Sequence, residues 1–161
     1  MNNFKHSIPT TIYFGKDQLG HLSELKESGS RVLLVYGGGS IKKSGLYDQT
    51  VKILEESGLS VTELSGVEPN PRIESVREGV KLCREDQIDM VLAVGGGSVI
   101  DCAKVVAAGA CYEGDAWDLV LDGSKIKAAL PVYSVLTLSA TGSEMDAFAV
   151  ISDMTKNEKW G

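Results

Sequence analysis

Residues 89–101 read Asp89-Met90-Val91-Leu92-Ala93-Val94-Gly95-Gly96-Gly97-Ser98-Val99-Ile100-Asp101. A nearly continuous apolar run of strand length ends in three glycines and a serine, and a segment of helical character follows. Such a run suits a strand covered on both faces, and a glycine corner leading straight into a helix is how parallel strands are joined. Residues 31–36 (RVLLVY) and 130–136 (LPVYSVL) repeat the apolar pattern, and residues 59–64 form a weaker fourth strand. Between these runs, residues 42–57 place Leu46, Val51 and Leu54 along one side, and residues 73–84 do the same with Ile73, Val76, Val80 and Cys83, as crossover helices require. The predicted fold class is α/β, a mainly parallel sheet with flanking helices, Rossmann-like.

The remaining segments are less regular. Glu68-Pro69-Asn70-Pro71 reads as a connection, because two prolines remove donors and restrict their neighbours. Residues 4–14, broken at Pro9-Thr10, suggest a strand pair or hairpin. Residues 147–152 suggest another strand, and the polar stretch 153–161 is expected to add no further element.

At 161 residues, 43% hydrophobic and 24% charged, the chain is long enough to bury one substantial core. A net charge of -6 argues against a general nucleic-acid or membrane-surface binder, since phosphate backbones reward clustered cations. No apolar run approaches the roughly 18 residues that span a bilayer, and the first residues lack a signal-peptide core, so a cytoplasmic protein is expected. Cys83, Cys102 and Cys111 form an odd set without CxxC spacing and read as reduced packing residues. His6 and His21 lack ligand spacing, so no metal ligand is assigned.

The glycine corner has an echo. Val35-Tyr36-Gly37-Gly38-Gly39-Ser40-Ile41 and Val94-Gly95-Gly96-Gly97-Ser98-Val99-Ile100 each end a strand and open a helix, at the edge where open α/β sheets bind ligands. Glycine allows close backbone approach, and a helix N-terminus favours an anion. The GxGxxG fingerprint is missing, and so is the Gly-Lys-Ser/Thr ending of a P-loop. Either turn alone reads equally well as a tight corner with serine as N-cap. The two differ in charge. Asp101 can form a capping pair with Ser98, whereas Lys42 and Lys43 are misplaced in a first turn unless an anion lies nearby. The second turn is therefore assigned to a pyrophosphate. Ser40, Lys42 and Lys43 are assigned to a ribose 2′-phosphate, which favours NADP over NAD; the alternative is that both lysines face solvent. An NAD site usually presents an acid to the ribose hydroxyls. Gly37 to Ser40 supplies none, and Asp115 and Asp118 sit in a loop, so they are discounted.

Thr137-Leu138-Ser139-Ala140-Thr141-Gly142-Ser143-Glu144 follows the last long strand with four hydroxyls and a carboxylate. The run suits phosphate, ribose or carboxamide, or else a loop capped by Thr141 and Glu144.

Taken in order, Phe14-Gly15-Lys16, Tyr36 to Lys43, Val67-Glu68-Pro69-Asn70-Pro71, Gly95-Gly96-Gly97-Ser98 with Asp101 and Lys104, and Ala140-Thr141-Gly142-Ser143-Glu144 give a pattern that resembles the iron-containing (group III) alcohol dehydrogenases. The likeness is strongest to their butanol dehydrogenase or NADPH-dependent aldehyde reductase branch. It implies that residues 1–161 form an NAD(P)-binding domain of dehydroquinate-synthase-like architecture, ending before a helical domain that holds a divalent metal, Fe or Zn, through one Asp and three His. It implies hydride transfer between NADP(H) and a primary alcohol or aldehyde such as butanol or butanal, and a homodimer when the chain is full length. By position, Gly96, Gly97 and Ser98 become pyrophosphate contacts, Thr137 and Thr141 further cofactor contacts, and Gly38, Gly39 and Ser40 the adenosine-ribose end, with Lys43 beside them. Asp101 and Lys159 become the catalytic residues nearest the nicotinamide. Ala140 departs from the family's usual Thr-Ala-Gly-Thr-Gly-Ser-Glu. Two other readings stay open: a nucleotide-binding module without catalysis, and a glycerol-dehydrogenase-like relative.

Overall fold

The computed structural model describes residues 8–161. Four parallel strands, β1 (Arg31–Tyr36), β2 (Ser60–Leu64), β3 (Met90–Gly95) and β4 (Val132–Leu136), form one sheet in the order β2-β1-β3-β4. Helices α1 (Ser40–Lys43) and α2 (Leu46–Glu56) join β1 to β2, α3 (Ile73–Glu85) joins β2 to β3, and α4 (Gly97–Ala110) with α5 (Ala116–Leu121) joins β3 to β4. Parallel crossovers are right-handed. The step from β1 to β2 runs one way across the sheet and the later steps run the other, so α1 and α2 cover one face while α3, α4 and α5 cover the opposite one.

The side chains of β1 and β3 alternate between two cores. Val32, Leu34, Tyr36, Met90, Leu92 and Val94 pack with Leu54 of α2 and with Leu22 and Leu25 of the 3-10 helix Gln18–Glu27. Leu33, Val35, Val91 and Ala93 pack with Ile73, Val76, Val80, Ile100, Val106 and Trp117. Every one of these β1 and β3 side chains is essentially inaccessible to water, each contributing about 1.5–3 kcal/mol for a fully buried large apolar group. Burial also pushes the Cys83 and Cys102 thiols up to about 12, which keeps them protonated packing groups. Among the described residues no helix is long and apolar enough to cross a membrane.

Several local expectations need correction. The helix expected over residues 42–57 is split, because Gly45 adopts φ +76 and starts α2 afresh. β4 is not covered on both faces; as the outer strand it leaves Val132 and Leu136 more than a third exposed. Residues 116–121, too few to show a period, form α5, whose first turn is capped by the Asp115 carboxylate accepting from Trp117 N–H at 2.8 Å. The polar stretch after residue 153 is also structured. β5 (Ile151–Asp153) and β6 (Glu158–Trp160) pair antiparallel around a turn in which Asp153 accepts from Thr155 N and Oγ1 at 2.9 and 2.6 Å. Of the hairpin expected over residues 4–14, the first part lies outside the described residues, and residues 8–14 contain no strand.

Two close contacts set the distance between α3 and α4. An added Cβ on Gly79 of α3 would lie 2.6 Å from Val106 Cγ2, and one on Gly109 of α4 would lie 2.6 Å from Val80 Cγ2. The two helices therefore meet backbone to side chain. At the opposite edge of the sheet Asp89 accepts from Ser30 N, Arg31 N and Arg31 Nη2 at 2.8, 2.9 and 3.2 Å. The Arg31 guanidinium and these N–H groups hold the carboxyl near 2, against an ordinary 3.8.

Gly79→Ala is expected to lower stability by about 1–3 kcal/mol through overpacking, although alanine is the better helix former by about 1 kcal/mol. Gly20→Ala, which meets no atom within 4 Å, is expected to be neutral or stabilising; urea melts of the two variants check the opposite signs. Because Asp89 titrates lower when folded, its contribution is complete above pH 3.8 and disappears as pH falls through about 2. Acid unfolding of Asp89→Asn should therefore be less steep over that window.

Candidate functional site

The strand order has one switch point. From β1 the chain moves outward to β2, then returns past β1 to β3, so a crevice opens between the carboxyl ends of β1 and β3. The first glycine turn leaves β1 and the second leaves β3, one on each side of that crevice. Thr137 N–H donates to Gly95 O at 3.0 Å, which brings the start of the polar run after β4 alongside the second turn. Three segments distant in sequence thus share one edge of the sheet.

At the second turn the glycines answer to sterics. A Cβ on Gly95 would lie 2.6 Å from Val99 Cγ2, and one on Gly97 would lie 2.5 Å from Thr141 Oγ1. Gly96 precedes α4 without any side-chain cap, so the first N–H groups of a 14-residue helix remain available to an anion. Ser98 makes no capping bond, and the expected Ser98–Asp101 capping pair does not form. Asp101 instead faces the polar run. Its Oδ1 accepts from Ser143 Oγ at 2.5 Å and its Oδ2 from Val150 N–H at 3.0 Å.

Lys104 likewise does not pair with Asp101. Its Nζ, on a side chain only 18% exposed, donates to Ser143 O (2.7 Å), Asp146 O (3.1 Å), Asp146 Oδ1 (3.0 Å) and Phe148 O (2.5 Å). Burial alone would raise the Asp146 pKa, but the bonds from Lys104 Nζ and Phe148 N–H outweigh it and hold the carboxyl below its ordinary range. Together Asp101 and Lys104 fasten residues 143–150 to α4. The expected Thr141–Glu144 capping box is absent: Gly142, at φ +78, precedes the short 3-10 helix Ser143–Met145, which has no side-chain cap.

The first turn is more open. Gly39 adopts φ +107, a conformation that favours glycine, while a Cβ on Gly38 or Gly39 would meet nothing within 4 Å. Ser40 and Lys43 are exposed, and Lys43 has no ion pair among the described residues. Lys42 is different. Its Nζ lies 4.0 Å from Glu63 Oε2 and 5.1 and 4.4 Å from the ring centres of Tyr36 and Tyr47. The reading of Lys42 and Lys43 as an equivalent pair is corrected accordingly.

Glu63 also accepts from Tyr36 OH and, at 2.5 Å, from Tyr47 OH. The carboxylate nearest Lys42 stands on the neighbouring strand β2, as Glu63. Sequence reasoning passed over it because its place depends on the β1–β2 register, in which Glu63 lies opposite Leu34; a lone acid near the end of β2 was the available signal. Asp115, by contrast, is occupied with its helix cap and with Arg77 Nε at 2.9 Å.

The two predicted catalytic residues do not touch each other. Lys159, on β6, donates to Asn70 Oδ1 at 2.6 Å, in the proline-rich connection before α3, and makes no hydrogen bond to Asp101 among the described residues. His21 pairs with Glu24 at 2.6 Å and stacks on Tyr13, while His6 lies outside the described residues. Among the described residues no group of His, Cys, Asp and Glu could hold a metal ion.

The geometry can be set beside known proteins. A family model for iron-containing alcohol dehydrogenase matches residues 9–161. NADH-dependent butanol dehydrogenase B of Clostridium acetobutylicum is 60% identical over 160 residues, which take in 99% of this chain and 41% of that protein. The NADPH-dependent aldehyde reductase YqhD of Escherichia coli is 48% identical, over 99% of this chain and 41% of its own length. The crystal structure of NADH-dependent butanol dehydrogenase A from Thermotoga maritima superposes with a TM-score of 0.95 at 48% identity, covering 99% of this chain and 41% of that one. The chain therefore spans about two fifths of the length of the curated relatives it matches. With the family model, the sequence identities and the shared parallel sheet in agreement, the chain belongs to the iron-containing alcohol dehydrogenase family.

Proposed function

We propose that residues 1–161 are the nucleotide-binding domain of a metal-dependent alcohol dehydrogenase that moves hydride between NADP(H) and a primary alcohol or aldehyde such as butanol or butanal, with NAD also accepted. The observation that carries this reading is the placement of both glycine turns across the β1–β3 crevice, with the bare N-terminus of α4 on one side. Support for the activity comes from relatives named butanol dehydrogenase and aldehyde reductase. Their names divide on the nucleotide, NADH for one and NADPH for the other, so the preference for NADP rests on this chain's first turn: Gly39 carries no carboxylate, and Ser40 and Lys43 face outward.

In this reading Gly96, Gly97 and Ser98 receive the pyrophosphate through backbone N–H groups, and Gly38, Gly39, Ser40 and Lys43 receive the adenosine ribose and its 2′-phosphate. Thr137 and Thr141 close the side toward the nicotinamide. Asp101 keeps the Ser143–Val150 segment against α4 and, with Lys159, lies at the nicotinamide end. A dinucleotide bound there would supply or accept the hydride. A divalent metal, iron or zinc, would supply Lewis-acid polarisation of the substrate oxygen; no group of His, Cys, Asp and Glu among the described residues would hold it. The full-length protein is read as a cytoplasmic homodimer.

Fluorescence titration with NADPH and NADH tests the binding site. Gly97→Val is expected to weaken both nucleotides about tenfold or more, since its side chain would displace Thr141 and block the turn. Lys43→Ala should weaken NADPH alone, by about threefold to tenfold. Equal loss for both nucleotides would remove Lys43 from the 2′-phosphate. Butanol oxidation by the full chain with NADP should disappear on chelation and return with Fe²⁺ or Zn²⁺; turnover unaffected by chelation would rule out the metal-dependent chemistry.

A further inference from the structure

The cluster formed by Tyr36, Lys42, Tyr47 and Glu63 brackets the first glycine turn. Tyr36 is the residue immediately before Gly37, and Lys42 is two residues after Ser40. Glu63 reaches both from the neighbouring strand, accepting from the hydroxyls of Tyr36 and Tyr47 with Lys42 Nζ 4.0 Å away. We infer that Glu63 sets this protein's discrimination between NADPH and NADH by neutralising Lys42 beside the turn and so withholding a cation from the ribose 2′-phosphate. The inference rests on the reading that the adenosine ribose lies against Gly38, Gly39 and Ser40.

The charges decide the direction of the effect. Lys42 is constrained from three sides, with its ammonium over two tyrosine rings and against one carboxylate, an arrangement in which cation–π attraction and ion pairing reinforce each other. Burial alone would raise the Glu63 pKa, but the two tyrosine hydroxyls outweigh it and keep the group ionised at neutral pH. The bond from Tyr47 raises that phenol to about 12, so Tyr47 remains a donor. Lys42 and Glu63 therefore sum to no net charge, leaving Lys43, which has no ion pair among the described residues, as the uncompensated cation beside the turn.

A phosphate monoester carries roughly −1.5 to −2 near pH 7 and is penalised by the carboxylate. A 2′-hydroxyl is not. An ionised carboxylate has about four acceptor positions, of which the two tyrosines use two. With its side chain 38% exposed, Glu63 retains capacity for a ribose hydroxyl, so it tempers the preference for NADP that Gly39, Ser40 and Lys43 set and leaves NADH acceptable.

The test is the ratio of NADPH to NADH dissociation constants for the full chain, measured by titration for Glu63→Gln, Lys42→Met, the double variant and Ser40→Asp. Glutamine keeps an acceptor for the tyrosines and removes only the charge. Glu63→Gln should shift the ratio about fivefold or more toward NADPH, and by less in high salt. Lys42→Met should shift it the other way, and the double variant should return near the wild-type ratio. Lys42 is exposed, so its variant keeps the test alive if Glu63→Gln does not fold. Ser40→Asp places a carboxylate on the turn itself and should disfavour NADPH. If Ser40→Asp moves the ratio while Glu63→Gln and Lys42→Met leave it within twofold, the role of Glu63 is overturned and the ribose position stands. A ratio unmoved by Ser40→Asp overturns the ribose position, and the role of Glu63 with it.

Discussion

The parallel pairing of β1 with β3 is the constraint on which the rest of this domain depends. Val32 to Tyr36 lie in register with Met90 to Val94, and both strands are sealed from water on both faces. Parallel strands in register end together, so the turns that follow them emerge at one edge, side by side. Everything that makes the crevice a candidate nucleotide site follows from that shared end point. The separation of the turns, the direction of α4 and the reach of Glu63 from β2 are all fixed by backbone pairing before any side chain contributes.

A second level of order comes from side chains that bridge this scaffold to the segment after β4. Asp101 and Lys104 are three residues apart on α4, close enough to suggest an intrahelical pair. They act in parallel instead, each binding outward to residues 143–150. The carboxylate takes a hydroxyl and an N–H, while the ammonium takes three carbonyls and a carboxylate. Such charge-assisted bonds are stronger than neutral ones, and here they connect elements rather than stabilise one helix. A capping role and a catalytic role are the two natural assignments for an acid at this position. The observed partners give Asp101 a third, as an organiser of the wall opposite the glycine turn.

Much of the fold was legible in the sequence because its signals are local or periodic. Residues 31–36 form a strand with those bounds, and the predicted apolar side of α3, Ile73, Val76, Val80 and Cys83, is the side that is buried. The misses share one physical cause. The hairpin of β5 and β6 depends on an aspartate turn and on contact with the Pro71 carbonyl, and α5 on a single capping carboxylate. Neither leaves a repeating pattern. At the site, glycine turns could be recognised as corners, but the ion-pair partner of Lys42 and the hydrogen-bond partners of Asp101 and Lys104 lie 21 to 49 positions away, reached only through strand register or loop path. Charge near a turn was readable from the sequence; whether that charge was already neutralised was not.

The segment after β4 has a further property. Within the described residues no side chain from Thr137 to Gly142 is buried, and Ser143 is the first that is, so residues 8–161 themselves cover little apolar area of this wall. Its attachment to the rest of the described residues lies in the bonds from Asp101 and Lys104, the strand-end bond from Thr137 to Gly95 and the bond from the Thr10 hydroxyl to Glu144 O. Regions of this kind open without the domain unfolding, at a free-energy cost well below that of the core. Amide hydrogens there are expected to exchange through local opening, and those of β1 and β3 only through global unfolding. In the proposed reading a dinucleotide resting on this wall would meet a surface that it must partly order, and its affinity would include that ordering as well as the contacts it makes.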